Sequence, residues 1–193
     1  MLKREDLWSL EDYARNRPRF RAEAMAHKRQ RTLHVGEHLT LLFEDRLTIL
    51  YQVQEMLRIE KIFETGGIED ELAAYNPLIP DGGNWKATLL IEYADVDIRV
   101  ERLRQLRGVA NQITLQVEGF PPLNPVSDED LSRETAEKTS AVHFLRYDLP
   151  IVQRHALRDG AQLAAAVDHP SYSVASFWVA ESLRLALLND LFA

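Results

Sequence analysis

A strand–helix–strand pattern that occurs twice is the sequence feature that most restricts the fold of this chain. Four segments have the apolar composition or alternation of strands: 86–93 (KATLLIEY), 113–119 (ITLQVEG), 140–149 and 162–169. Amphipathic helices are predicted between the members of each pair, at 97–107 and 150–159. Two β-α-β units joined by a long connection predict an α+β fold with a ferredoxin-like (split βαβ) antiparallel sheet.

The segments around these units are predicted to be mainly helical. Residues 1–75 should form a helical part with a β-hairpin at 32–44, and a long central helix should cover the sheet. The predicted helices are 11–31 with an interruption at Pro18, 45–65 ended by Gly66-Gly67, a short one to Tyr75, part of the 120–139 connection from Asp128, and 178–192. No linker composition divides the 193 residues, so we expect a single domain, 1–193.

Composition excludes several classes of protein. The chain has no cysteine, which removes disulfides, thiolate nucleophiles and cysteine-ligated metal centres. A net charge of −7 disfavours a nucleic-acid partner, because binding to phosphates requires a clustered excess of Lys and Arg. No apolar run reaches membrane-spanning length and no signal-peptide pattern is present, so we expect a cytoplasmic protein without a membrane partner.

Positive charge is concentrated near the N-terminus. Nine of the 23 Lys and Arg residues lie within residues 1–31, against five acidic residues there. One interpretation is that this basic segment lies on the acidic remainder of the chain, or on the partner subunit of a homodimer. The other is an anion site around Arg15–Arg21.

The predicted helix 45–65 combines apolar residues on every side with polar ones. A helix that is apolar all round is normally central, and buried charges require partners. One explanation is a polar network, or a subunit interface, that only specifies packing. The alternative is a ligand-binding pocket, lined by Tyr51, Gln54, Glu55 and Arg58.

A loop shaped by two prolines and two glycines, NPLIPDGGNWK (76–86), is a second candidate. It carries Asn84, Trp85 and Lys86, and loops on rigid scaffolds often hold binding groups. The competing interpretation is a conformational turn that Trp85 anchors to the core. No GxxxxGK[ST] spacing is present, which excludes a P-loop.

Histidines supply the candidates for catalysis and metal binding. His143 lies on a half-apolar strand face, where a hydrogen-bonded core histidine is commoner than a ligand or a base. Asp168-His169 ends a strand before Pro170, where the aspartate could orient the histidine ring, although such a pair more often makes a turn. No HExxH or HxH spacing is present, so a metal site would need distant ligands. Its candidate ligands are Glu55, His143 and His169, together with His34, His38, Glu60 and Glu92.

Four blocks of sequence carry a resemblance to a known family. They are HLTLLFEDRLTILYQVQEMLRIEKIFE (38–64), ELAAYNPLIPDGGNWKATLLIEY (71–93), EKTSAVHFLRYDL (137–149) and AAVDHPSY (165–172). Together they resemble a bacterial domain-of-unknown-function family, number 3501 in that series. The resemblance implies no activity, but it associates the chain with rubrerythrin-like and iron–sulfur redox proteins. It thereby implies an accessory role in peroxide or iron handling and a redox protein partner.

The leading hypothesis from the sequence is an accessory or ligand-binding protein. Its polar pocket would use Tyr51, Glu55, Arg58, Lys86, His143 and Arg146, with Arg58, Lys86 and Arg146 holding a small anionic ligand. An enzyme using His143 or Asp168–His169 in acid–base chemistry, with or without a metal, is the first alternative. A structural protein whose buried polar groups only specify packing is the second. The sequence predicts no particular cofactor.

Overall fold

The computed structural model describes residues 1–192, which form a mixed α/β structure with two antiparallel sheets and six α-helices. The helices are α1 (Leu10–Gln30), α2 (Arg46–Glu60), α3 (Thr65–Tyr75), α4 (Val96–Gln105), α5 (Ile151–Arg158) and α6 (Glu181–Leu188). The strands are β1 (Thr32–Val35), β2 (Leu39–Glu44), β3 (Asn84–Ile91), β4 (Ile113–Val117), β5 (Val126–Ser127), β6 (Val142–Asp148), β7 (Leu163–His169) and β8 (Tyr172–Trp178). None of the helices in these residues is both long and apolar enough to cross a bilayer.

The two sheets divide the predicted β-α-β units between them. One sheet has the order β1-β2-β3-β6-β5 and the other β4-β7-β8, with antiparallel neighbours throughout. The α+β class is confirmed, whereas the single ferredoxin-like sheet is not. The free edge of β3 is taken by β2 of the hairpin, so β4 and β7 pair with each other in a second sheet.

Strand alternation gives the five-stranded sheet two different faces. Trp85 and Leu89 of β3 and Tyr147 of β6 point to the inner face, into a hydrophobic cluster that both sheets share with α4–α6. The Tyr147 hydroxyl donates to the carbonyl of Ile113 at 2.9 Å, and the Trp85 indole donates to the carbonyl of Leu187 at 3.0 Å. These bonds satisfy polar groups that the core would otherwise leave unpaired.

A layer formed by α1, α2 and α3 covers part of the outer face. Ile49, Val53 and Leu57 of α2 pack with Leu72 of α3 in one apolar cluster. A second cluster between α1 and α2 contains Tyr13, Phe20, Ala24 and Tyr51. Because α2 has helical neighbours on two sides, its apolar residues extend around most of its circumference.

The interruption predicted at Pro18 is wrong, because α1 continues through it. Pro18 is exposed, so water can bind the carbonyl that loses its helical partner. Ser9 caps the start of α1, where its hydroxyl accepts from the backbone amide of Asp12 at 3.1 Å. The helix therefore tolerates the proline on its solvent side.

The long helix also ends earlier than predicted. It stops at Glu60, where Lys61 caps it in the left-handed region with a φ of 57°. Gly66 and Gly67 lie in the first turn of α3 instead of ending α2. Asp45 caps α2 as expected, accepting from the amide of Thr48 at 2.9 Å.

Two C-terminal predictions need correction. Within the described residues the 128–139 part of the connection contains no helix, and the connection contributes only the short strand β5. Residues 172–178 form the edge strand β8, so the last helix covers Glu181–Leu188 and not 178–192. Strand β8 is rich in serine and largely exposed, which weakens its apolar signal.

Two arginines of the basic N-terminal segment, Arg17 and Arg31, form salt bridges with residues distant in the sequence. Arg31, 2% exposed, forms a salt bridge with Asp190 and donates to the carbonyls of Phe43 and Glu44 at 3.0 and 3.2 Å. Its guanidinium therefore joins the end of α1 to β2 and to the segment after α6. Such a charge is stable in the interior only while these partners are present.

Candidate functional site

A pocket of about 480 Å³ lies between the helical layer and the outer face of the five-stranded sheet. Helices α2 and α3 supply one wall, β3 and β6 supply the floor, and residues 129–133 of the connection supply the opposite rim. Most of the lining is apolar. Its residues are Met56, Glu71, Ala73, Ala74, Tyr75, Pro77, Leu78, Lys86, Glu129, Asp130, Arg133, Phe144, Leu145 and Arg146.

Lys86 is the cation of this pocket that its surroundings neutralise least. Its side chain is 16% exposed, and Nζ lies 4.0 Å from Oε2 of Glu129, beyond hydrogen-bonding distance. Burial lowers the pKa of the Lys86 ammonium; Arg146 contributes in the same direction, and Glu129 opposes it. Lys86 can therefore offer N–H donors to a molecule that enters the pocket.

Arg146 lies opposite Lys86 on the neighbouring strand and is already occupied. Its guanidinium donates to both carboxylate oxygens of Glu129, at 2.8 and 2.9 Å, and also contacts Asp148. These hydrogen bonds raise the pKa of Arg146, and they lower that of Glu129. Arg146 thus holds the rim in place instead of presenting a free positive charge.

Arg133 plays a similar part on the rim. Its guanidinium lies 4.4 Å from the centre of the Phe144 ring and donates to Asp130 at 2.7 Å. This pairing lowers the pKa of Asp130 to about 2. The pocket therefore has three cations and three carboxylates, counting Glu71. Both arginines make hydrogen-bonded salt bridges, whereas the salt bridge of Lys86 with Glu129 is 4.0 Å long and has no hydrogen bond.

Lys86 also has a carboxylate opposite it on β2, that of Glu44, which is already hydrogen-bonded. Glu44 of β2 faces Lys86 in the register, yet its Oε1 accepts from the Thr88 hydroxyl at 2.6 Å. Glu44 is 2% exposed, and its Oε2 has no partner within the described part of the chain. Its engagement with Thr88 leaves Lys86 without a cross-strand salt bridge.

His143 does not line this pocket, because it points to the inner face of β6. Its Nδ1 lies 2.6 Å from Oδ2 of Asp128, and its Nε2 lies 2.8 Å from the Thr139 hydroxyl. Asp128 has a φ of 52°, unusual for a residue with a side chain, and its Oδ1 accepts from the Phe144 amide at 3.0 Å. His143 therefore positions Asp128 and, through it, the rim residues that follow.

The structure separates Glu55 and Arg58 from the pocket. Glu55 accepts from the Tyr13 hydroxyl at 2.5 Å, from Arg17 at 2.7 and 2.9 Å, and from Arg58 at 3.1 Å. Mainly because of Arg17, the pKa of Glu55 falls to about 2. This network joins α1 to α2, which agrees with the packing interpretation of the polar groups on α2.

The remaining candidates on α2 and in the 76–86 loop also make contacts within the fold. Gln54 accepts from the backbone amide of Trp8 at 2.7 Å, and Tyr51 packs edge-on against Phe20 at 5.9 Å between ring centres. Trp85 is a core residue, and Asn84 is buried beside it. Of the predicted ligand-binding residues, the pocket contains only Lys86 and Arg146.

Asp168 and His169 are the last residues of β7, directly before the turn at Pro170 and Ser171. His169 Nε2 donates to the carbonyl of Arg107 at 2.8 Å, and Nδ1 accepts from the amide of Ser171 at 3.2 Å. This pairing occupies both ring nitrogens, while Asp168 is exposed. Within residues 1–192 no group of three or more His, Asp or Glu side chains has an arrangement that could hold a metal ion.

Sequence reasoning missed the rim of the pocket. Glu129, Asp130 and Arg133 lie in the connection between the two β-α-β units, Tyr75 lies just before the 76–86 loop, and Leu78 lies within it. The segment DEDLSR (128–133) shows a cluster of three acidic residues followed by an arginine, which is the local signal. Its contact with β6 depends on Asp128, which the sequence pattern does not reveal.

Comparison with known proteins places the chain in a family. The model of a family described as a protein of unknown function (DUF3501) matches residues 1–191. The chain belongs to the DUF3501 family. It is similar to a solved structure of a novel protein of unknown function from Burkholderia pseudomallei K96243, with 46% identity over 98% of both chains and a TM-score of 0.94. No curated protein matches the chain significantly.

Replacing Glu55 by Gln should destabilise this family member by about 2 kcal/mol near neutral pH, because Arg17 loses its half-buried partner. The folded-state pKa of Glu55 lies below its ordinary value of 4.5. The ionised carboxylate therefore stabilises the fold at pH values above 4.5, and this stabilisation disappears as the pH falls towards about 2. Urea unfolding at several pH values measures the difference. The exposed Glu60→Gln on the same helix is the control and should change little.

Replacing His143 by Leu should loosen the rim. Asp128 loses a buried partner, at a cost of about 1–3 kcal/mol, and its left-handed backbone loses one of the contacts that hold it. Limited proteolysis should then cleave within residues 128–134 faster than in the unchanged protein. His34→Leu, at an exposed position on β1, is the control, and equal cleavage rates in the two variants would contradict the positioning role.

Proposed function

We propose that the protein binds a small, largely apolar molecule that carries one anionic group, and that the group is held by Lys86. The observation that carries this proposal is the position of the Lys86 ammonium. It is half-buried on the floor of a mostly apolar pocket and lies 4.0 Å from the Glu129 carboxylate. A charge-assisted hydrogen bond in such surroundings is stronger than one in water.

The shape and composition of the pocket support a ligand of limited size. A volume of about 480 Å³ is within the range of small-molecule sites. Met56, Ala74, Leu78 and Phe144 offer apolar contacts on several sides. Because Glu129 and Asp148 occupy Arg146, one anionic group would fit the pocket better than a polyanion such as a nucleotide.

The broader role stays a prediction from family resemblance. An accessory function in peroxide or iron handling, a redox protein partner, a homodimer and a cytoplasmic location are compatible with a binding protein of this kind. The catalytic alternative has less support, since hydrogen bonds within the chain occupy both ring nitrogens of His143 and of His169.

Three molecules with the same chain test the proposal: octanoate, octanol and octylamine. Octanoate at about ten times its Kd should raise Tm by about 3 °C, whereas octylamine should have little effect because Lys86 repels it. Lys86→Met should weaken octanoate binding about tenfold through the lost charge-assisted hydrogen bond. Isothermal titration calorimetry measures the affinities.

Two variants serve as controls for this experiment. Lys138→Met removes an exposed lysine and should leave octanoate binding unchanged. Ala74→Trp should fill the pocket and abolish binding of octanoate and octanol alike. Equal affinity of the unchanged protein for octanoate and octylamine would refute the proposed role of Lys86.

A further inference from the structure

We propose that Lys86 is also a nucleophile that forms an imine with an aldehyde or ketone bound in the pocket. This inference rests on the proposed function, because it uses the same pocket for the apolar part of the substrate. It adds a covalent step at a named atom, Nζ of Lys86, and a carbonyl compound as the substrate class.

The position of Lys86 meets the requirements for such a step. The middle of β3 fixes its backbone, paired with Glu44 on one side and Arg146 on the other. Its side chain is mostly buried, and no hydrogen bond within residues 1–192 needs to break before Nζ can attack. Tyr75 and Phe144 give the reacting carbonyl a water-poor setting, in which the imine is protected from hydrolysis.

Burial supports the same chemistry. A lysine reacts as the neutral amine, and desolvation together with a neighbouring cation favours that form. Burial is the largest effect on Lys86 and lowers its pKa; Arg146 acts in the same direction, while the carboxylates of Glu129, Asp81 and Asp148 act against it. The carboxylate of Glu129, at 4.0 Å, is close enough to stabilise the positive charge of a protonated imine.

The reaction balances without an oxidant, a reductant or a metal. The lone pair of Nζ forms a bond to the carbonyl carbon, and the carbonyl electron pair moves to oxygen. A proton passes from nitrogen to that oxygen, giving a carbinolamine. The carbinolamine hydroxyl then takes up a second proton, equivalent to the remaining N–H proton that nitrogen gives up, so the C–O bond breaks with water as the leaving group and nitrogen supplies the electrons of the C=N bond. The products are the imine of Lys86 and one molecule of water.

Reductive trapping with octanal tests the inference on the full chain. The protein is incubated with octanal and sodium cyanoborohydride near neutral pH, and the modified positions are found by peptide mass spectrometry. The other four lysines, Lys3, Lys28, Lys61 and Lys138, are internal controls. We expect Lys86 to be alkylated about tenfold faster than these, despite its lower exposure. Modification no faster than at Lys138 would overturn the inference.

Two variants separate this inference from the proposed function. Lys86→Arg keeps the positive charge and removes the amine, so it should lose the trapped adduct. Ala74→Trp should reduce trapping at Lys86 while leaving trapping at Lys138 unchanged, and equal trapping with and without the tryptophan would overturn the inference. If the unchanged protein binds octanoate but octanal is not trapped at Lys86, only the imine is refuted. If it neither binds octanoate nor traps octanal, the proposed binding pocket is refuted as well.

Discussion

The antiparallel pairing of β3 with β6 is the constraint on which the rest of the structure depends. It places Lys86 opposite Arg146 on the outer face and Trp85 opposite Tyr147 on the inner face. The inner pair is buried and anchored by hydrogen bonds, so the two strands cannot slide without exposing the core. The positions of the charged groups in the pocket therefore follow from the packing of the opposite face.

Charge compensation explains why one cation in the pocket differs from the others. Arg146 and Arg133 are planar donors, and the carboxylates of Glu129 and Asp130 satisfy them in pairs of hydrogen bonds. The ammonium of Lys86 lies 4.0 Å from the carboxylate of Glu129 without a hydrogen bond, and the cross-strand Glu44 accepts from Thr88 instead. The same arrangement stiffens the rim and leaves one amine available to a ligand.

The sequence predicted the approximate positions of the six helices and of most strands, because alternation and caps are local signals. It placed some helix ends wrongly, however, and predicted a helix from Asp128 that the described residues do not form. It predicted Lys86 and Arg146 as binding residues, and the structure brings these two together. It could not assign Glu55, whose partners Tyr13 and Arg17 come from another helix, about 40 residues away. Strand pairing also depends on residues distant in the sequence, and no local pattern predicts that β4 pairs with β7 in a second sheet.

A crystal structure of the protein with octanoate would test the central claim most directly. The account predicts a carboxylate oxygen within about 3 Å of Lys86 Nζ, with the alkyl chain against Met56 and Phe144. A second groove near Trp8 and Phe63, of about 290 Å³, offers the molecule another place to bind. Octanoate in that groove, with the pocket at Lys86 unoccupied, would contradict the account.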